Sequence, residues 1–257
     1  MQAIGDSLTY GESYTVTSDG KKIMTHNPYT NHLNNLMSVA RASNEIVIAV
    51  ERGRGGENTS HMLKRIEDEL QEFSEKMPPL KAVAILGGTI DVLNRRKVSA
   101  IMPNIIGMHE KVLRYTFANT ATAIRSNKLI VQSQPTNQNQ LFSIAMTIPP
   151  IDTVHGSIEI DNLRLSLNQE IRRFAGNCEE RIVLVDLENI YNQSYAAEEH
   201  NWSPDLLHFS AKGYLGVANM VHYGLLSFLD VRMTMRGKKA ISDEEFYAKC
   251  FPGSSSN

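Results

Sequence analysis

Apolar residues along the chain fall into runs of two alternating kinds. Short, nearly continuous ones with β-branched residues, at 45–50, 80–86, 142–148 and 181–186, have the composition of strands covered on both faces. Longer ones space their apolar residues by three and four, as in Leu33, Leu36, Met37 and Ala40, or Met62, Leu63, Ile66, Leu70 and Phe73. This spacing predicts helices over 29–40, 59–76, 99–117, 160–175 and 212–229. Pro78-Pro79 stops the second, and Pro103 falls in the first turn of the third. One further strand is expected at the start, where Ala3-Ile4 runs into Gly5-Asp6-Ser7-Leu8. Only four residues precede that corner, so this strand should be short.

Strand, loop, helix and strand in succession imply right-handed crossovers and a mainly parallel sheet with helices on both faces. The expected architecture is α/β, a three-layer sandwich around roughly five strands, with its ligand site outside the carboxyl ends of the strands. Two stretches break the rhythm. Residues 12–28 are polar and rich in turn formers, and are expected to form a long loop over the strand ends. Residues 118–140 contain a strand-like Leu129-Ile130-Val131 followed by an almost entirely polar run. The 142–148 run looks equally like a strand core, and the pattern alone does not choose between them; with the later run assigned to the sheet, 118–140 reads as an insertion, a surface hairpin or a disordered loop. A single domain over 1–232 is then followed by an appendage over 233–257, partly disordered, with one short helix over 243–249 capped by Ser242.

Composition narrows the class without choosing a chemistry. The 257 residues carry a net charge of −2 and a pI near 6.5, and the basic clusters at Arg95-Arg96-Lys97 and Arg236 to Lys239 are isolated, so nothing favours a nucleic-acid partner. No apolar run is long enough for a transmembrane segment. Cys178 and Cys250 are too few for a disulfide framework and lack metal-ligand spacing, which reads as a reduced, cytoplasmic chain with no metal. His26, His32, His61, His109, His155, His200 and His222 share no spacing, and the eleven methionines read as core filler. Trp202 either lines a substrate pocket or packs beneath its own loop.

Candidate chemistry lies at the two ends. A serine at a strand-to-helix corner is reachable by substrate and has its own backbone N–H beside the place where negative charge would develop. Alone, Gly-Asp-Ser is an ordinary turn. Asp205 and His208, three residues apart before the last helix, supply what Ser7 would need: an imidazole to take its proton and a carboxylate to fix the tautomer.

Gly5-Asp6-Ser7-Leu8 together with Asp205-x-x-His208 resembles the SGNH, or GDSL, family of esterases and lipases. Two intervening blocks follow the family's order. Arg54-Gly55-Gly56-Glu57-Asn58-Thr59 resembles the second, with Gly56 at the glycine that gives a backbone N–H to the oxyanion hole. Leu86-Gly87-Gly88-Thr89-Ile90-Asp91 resembles the third, but Ile90 stands where the family has asparagine, whose side-chain amide is another oxyanion donor. The resemblance implies the flavodoxin-like SGNH hydrolase fold, no cofactor, and a serine hydrolase cleaving carboxylic esters of small molecules or acylated glycans and lipids. Ser7, Asp205 and His208 would be the catalytic residues, with the Ser7 and Gly56 N–H groups forming the oxyanion hole. The missing amide leaves a second reading, a weak or inactive member that binds through the same cleft.

Overall fold

Five short strands lie side by side in parallel, and the first of them is in the interior of the sheet. In the computed structural model, which describes residues 1–39, 48–76, 80–126, 141–151, 157–188, 190, 201–234 and 242–252, these are β1 (Gln2–Gly5), β4 (Val50–Gly53), β5 (Ala82–Leu86), β6 (Phe142–Met146) and β7 (Ile182–Val185). Their order is β4-β1-β5-β6-β7, with Gly5 opposite Gly53 on one side and Leu86 on the other. The chain leaves β1 for one neighbour and later crosses to the other. That reversal opens a crevice at the carboxyl end of β1, where open α/β sheets bind ligands.

Side chains alternate across the sheet, and the two faces carry separate cores. Ile4, Val83, Ile85 and Ala145 pack under α3 (Thr59–Lys76), α5 (Val98–Ser126) and α6 (Ile158–Asn177) through Met62, Ile66, Ile105, Met108, Leu167 and Ile171. Ala3, Ala84, Ile144 and Val183 pack on the opposite face under α2 (Tyr29–Val39) and α7 (Ala211–Thr234) through Tyr29, Leu33, Tyr214 and Val221. This is the expected three-layer sandwich. Two short helices, α1 (Ser7–Tyr10) and α4 (Thr89–Leu93), follow β1 and β5 directly.

Several expectations need correction. Residues 12–28 are not a plain loop: β2 (Glu12–Val16) and β3 (Lys22–His26) form an antiparallel hairpin outside the main sheet. Its turn closes through Thr17 N–H to Lys21 O and Gly20 N–H to Thr17 O, with Gly20 in the left-handed region. The strand expected at 45–50 is observed at Val50–Gly53 and is only half-buried, because it is the edge strand; residues 45–47 lie outside the described set. The helix expected to end at 117 runs to Ser126, so the first part of the 118–140 segment continues α5, while the Leu129 run lies outside the described residues. The cysteines are not free. Cys178 and Cys250 form a disulfide, which removes the ground for the cytoplasmic expectation. That bond ties α6 to α8 (Asp243–Cys250), the helix expected near the C-terminus, whose Ser242 cap and Glu245 make a reciprocal capping box and whose Phe246 is fully buried. Among the described residues no helix is long and apolar enough to cross a membrane.

Candidate active site

The corner after β1 is held by close backbone packing. A Cβ at Gly5 would lie 2.5 Å from Leu86 O and 2.0 Å from Thr9 Oγ1, and one at Gly53 would lie 2.1 Å from Tyr10 N. Glycine at both positions lets β1, β4 and α1 close on one another. Asp6 caps α1, its Oδ1 accepting from Leu8 N–H at 2.9 Å. Burial pushes the Asp6 carboxyl up to about 6, against the pull of the Leu8 N–H, the Thr89 hydroxyl and His208. Ser7 is the first residue of α1, where a backbone N–H has no partner within the helix.

Asp205 and His208 lie in a tight loop between Asn201 and Ser210. It is closed by Ser203 N–H to His208 O at 2.8 Å and Ser210 N–H to Asn201 O at 2.9 Å. The Asp205 side chain organises the bend, its Oδ1 accepting from the N–H groups of Leu207 and His208, while Leu206 takes a left-handed conformation. Its other oxygen, Oδ2, lies 2.6 Å from His208 Nδ1. Burial raises the Asp205 pKa, but the His208 ring and the two N–H groups outweigh it and hold the carboxyl below its ordinary value. It is therefore a charged acceptor, which fixes the proton on Nδ1 and leaves a lone pair on Nε2. His208 Nε2 is 2.8 Å from Ser7 Oγ. The three residues singled out at opposite ends of the sequence thus form one continuous hydrogen-bonded chain. Trp202 packs at 4.7 Å on Phe209 beneath this loop.

The two glycine-rich blocks flank Ser7. Gly56, exposed and at φ +71°, lies in the loop leaving β4, which is tied to the corner by Arg54 N–H donating to Gly5 O at 3.0 Å. Among the described residues neither the Ser7 nor the Gly56 N–H donates to a protein acceptor. The block after β5 is joined to the first through Asp91. This fully buried carboxylate accepts from Thr59 N–H at the start of α3 at 2.8 Å and pairs with Arg96 at 2.6 Å. Ile90 is half-buried on α4 and offers no donor. Asn58 Oδ1 accepts from His61 N–H.

Two features escape a reading of the sequence. Arg65, one of the basic residues of an amphipathic helix, is buried beneath the strand ends. It bonds the Gly5 and Arg52 carbonyls, clasps Glu57 next to Gly56, and reaches Glu69 at 3.2 Å. The spacing of Arg65 and Glu69 by four is the one signal that could have suggested it. The second is the hairpin. Tyr14 places its ring 5.7 Å from that of His208, and its hydroxyl bonds Glu12. The hydrogen bond and charge of Glu12, burial, and the charge of Asp205 push the Tyr14 phenol up to about 12.

The match to known families decides what this arrangement belongs to. The model of the GDSL-like Lipase/Acylhydrolase family matches residues 3–215. This chain belongs to that family. Solved structures agree on the fold of this GDSL-family protein. It is similar to the lipase/acylhydrolase from Enterococcus faecalis at 18% identity, covering 87% of this chain and 95% of that one with a TM-score of 0.55. The aryl esterase of M. smegmatis is similar at 16% identity, 86% and 96% coverage and a TM-score of 0.55. A family 3 carbohydrate esterase of Clostridium thermocellum matches at 16% identity, 90% and 96% coverage and the same TM-score. No functionally curated protein matches this GDSL-family chain.

Proposed function

We propose that this protein is a serine hydrolase that cleaves carboxylic esters through an acyl-enzyme. The observation that carries the reading is the contact of 2.8 Å between Ser7 Oγ and a His208 Nε2 freed of its proton by Asp205. Ser7 Oγ attacks the ester carbonyl carbon as Nε2 takes its proton. The resulting oxyanion is met by the open Ser7 and Gly56 N–H groups. As the C–O bond breaks, Nε2 returns the proton to the leaving oxygen and the alcohol departs. Water then attacks the acyl-enzyme with Nε2 again as base, releasing the carboxylic acid and restoring Ser7.

Ile90 favours a second reading, a binding protein with little turnover. Losing one oxyanion donor costs about 10² to 10³ in rate, which leaves measurable chemistry if the other two act. Treatment with a fluorophosphonate probe separates the two. One adduct per chain, mapped to Ser7 and absent from Ser7→Ala, is the expected result, together with hydrolysis of at least one short ester. An adduct elsewhere, or labelling unchanged in Ser7→Ala, would remove the nucleophile assignment. Binding of an ester without turnover would support the second reading.

A further inference from the structure

The β2–β3 hairpin projects from the base of the candidate site. Its cross-strand register pairs Glu12 with His26, Tyr14 with Met24 and Val16 with Lys22. Residues directly opposed in an antiparallel pair share a face, and residues two apart on a strand return to it. Tyr14, Val16 and Met24 therefore lie on one face, the face by which Tyr14 meets the His208 ring, with Glu12 and His26 at its root and Lys22 opposite Val16 at its outer end. Val16 and Met24 are 51% and 52% exposed, an apolar strip that begins beside the imidazole and runs outward with nothing of the described chain covering it.

The hairpin is fixed at its root. Ser203, in the loop that carries His208, donates to Phe209 O and takes hydrogen bonds from the Ser13 hydroxyl and the Tyr14 N–H, each at 3.0 Å. The Tyr214 hydroxyl donates to Glu12 O at 2.8 Å, and Asn27 N–H donates to Gly11 O at 2.7 Å. The strip thus holds a set position relative to the imidazole.

We infer that the Tyr14, Val16 and Met24 face of the hairpin is the wall that binds the leaving alcohol of an ester whose alcohol part is apolar. The inference rests on the proposed ester hydrolysis. Its direction comes from the proton path. Nε2 of His208 must reach the leaving oxygen, so the alcohol lies on the imidazole side of Ser7, while the carbonyl oxygen turns toward the Ser7 and Gly56 N–H groups. The wall beside the imidazole therefore meets the alcohol and not the acyl chain.

The test is a pair of ester series on the full chain: acetates of ethanol, butanol, hexanol and octanol, and ethyl esters of acids of the same lengths. A methylene wholly removed from water gains roughly fourfold, and one resting on an open wall gains about twofold. In the wild type, kcat/KM is expected to rise about twofold per methylene along the alcohol series. In Val16→Ser/Met24→Ser that slope is expected to fall near unity while the slope along the acyl series is kept, with thermal unfolding showing the variant folded. Hexanol should also outcompete methanol for the acyl-enzyme in the wild type and lose that advantage in the variant. A flat alcohol series in the wild type, or a variant that changes the acyl slope instead, would overturn the inference. So would a variant that turns a dimer into a monomer in sedimentation with the alcohol slope intact, since the strip would then cover a second copy. Failure of Ser7 to take the fluorophosphonate, with no ester cleaved, removes the proposed reaction itself; cleavage with a flat alcohol series removes only the wall.

Discussion

The contribution of His109 to the stability of this protein should fall steeply in mild acid. It is fully buried on α5, its Nδ1 2.7 Å from Ser143 Oγ, and Ser143 in turn donates to Val83 O. The imidazole must therefore donate from Nδ1, which leaves a bare Nε2 with no partner in the core. Burial pushes its pKa down to about 3. The unfolded chain takes up the proton near the ordinary value of about 6.5, so the contribution of neutral His109 is complete above that pH and is lost as pH falls from there toward 3. Between pH 7 and 4 the loss is roughly 3 kcal/mol. Asp6 works in the opposite sense. Its pKa is raised to about 6 from an ordinary 3.8, so protonation relieves the folded state as pH falls, by roughly 2 kcal/mol over the same range. Comparison with His109→Leu isolates the histidine, because Asp6 is common to both. Urea unfolding at pH 4, 5, 6 and 7 should show the variant gaining about 3 kcal/mol on the wild type as pH drops. Curves that stay parallel within about 1 kcal/mol would refute the reasoning.

Ile90→Asn is expected to raise kcat on the best ester more than it lowers KM, by up to about a hundredfold, since an amide there would bond most strongly in the transition state; equal rates in a folded variant would count against this account of α4. Ser203→Ala takes the acceptor from Ser13 and from the Tyr14 N–H and should cost about 2 to 4 kcal/mol in urea unfolding, with a loss below 1 kcal/mol showing that the hairpin root is held by other contacts. Reducing the Cys178–Cys250 bond, which closes 72 residues of chain, should lower unfolding free energy by up to about 4 kcal/mol, and an unchanged melting profile after complete reduction would show that α8 is held by packing alone.

The sandwich and the Ser7, Asp205 and His208 chain were legible because each rests on a local pattern. β5 and β6 are continuous apolar runs, and Ser7 and His208 lie in short motifs whose loops are built by their own neighbours, as when Asp205 bonds the Leu207 and His208 N–H groups. What was hidden depends on partners distant in sequence. Glu12 to His26 looks like loop because only part of each hairpin strand is apolar and its ladder has no core face of its own. Arg65 looks like a solvated face until Gly5 O and Arg52 O are brought above it, and the pairing of Cys178 with Cys250 exists only once α8 docks on α6. The edge strand β4 was misplaced because half-buried strands lose the continuous apolar signature.

The contact between Ser7 and His208 spans 201 residues, and β1 is enclosed by two strands that are both made after it. During synthesis at about 5 to 20 residues per second, the serine emerges roughly 10 to 40 s before the imidazole that would activate it. Over that interval the growing chain holds a hydroxyl with no base, in a sheet still being assembled. On the proposed reaction, reactivity is acquired late, with the arrival of the loop at 201–210, and a product cut short after β7 would have every strand of the five-stranded sheet but neither Asp205 nor His208.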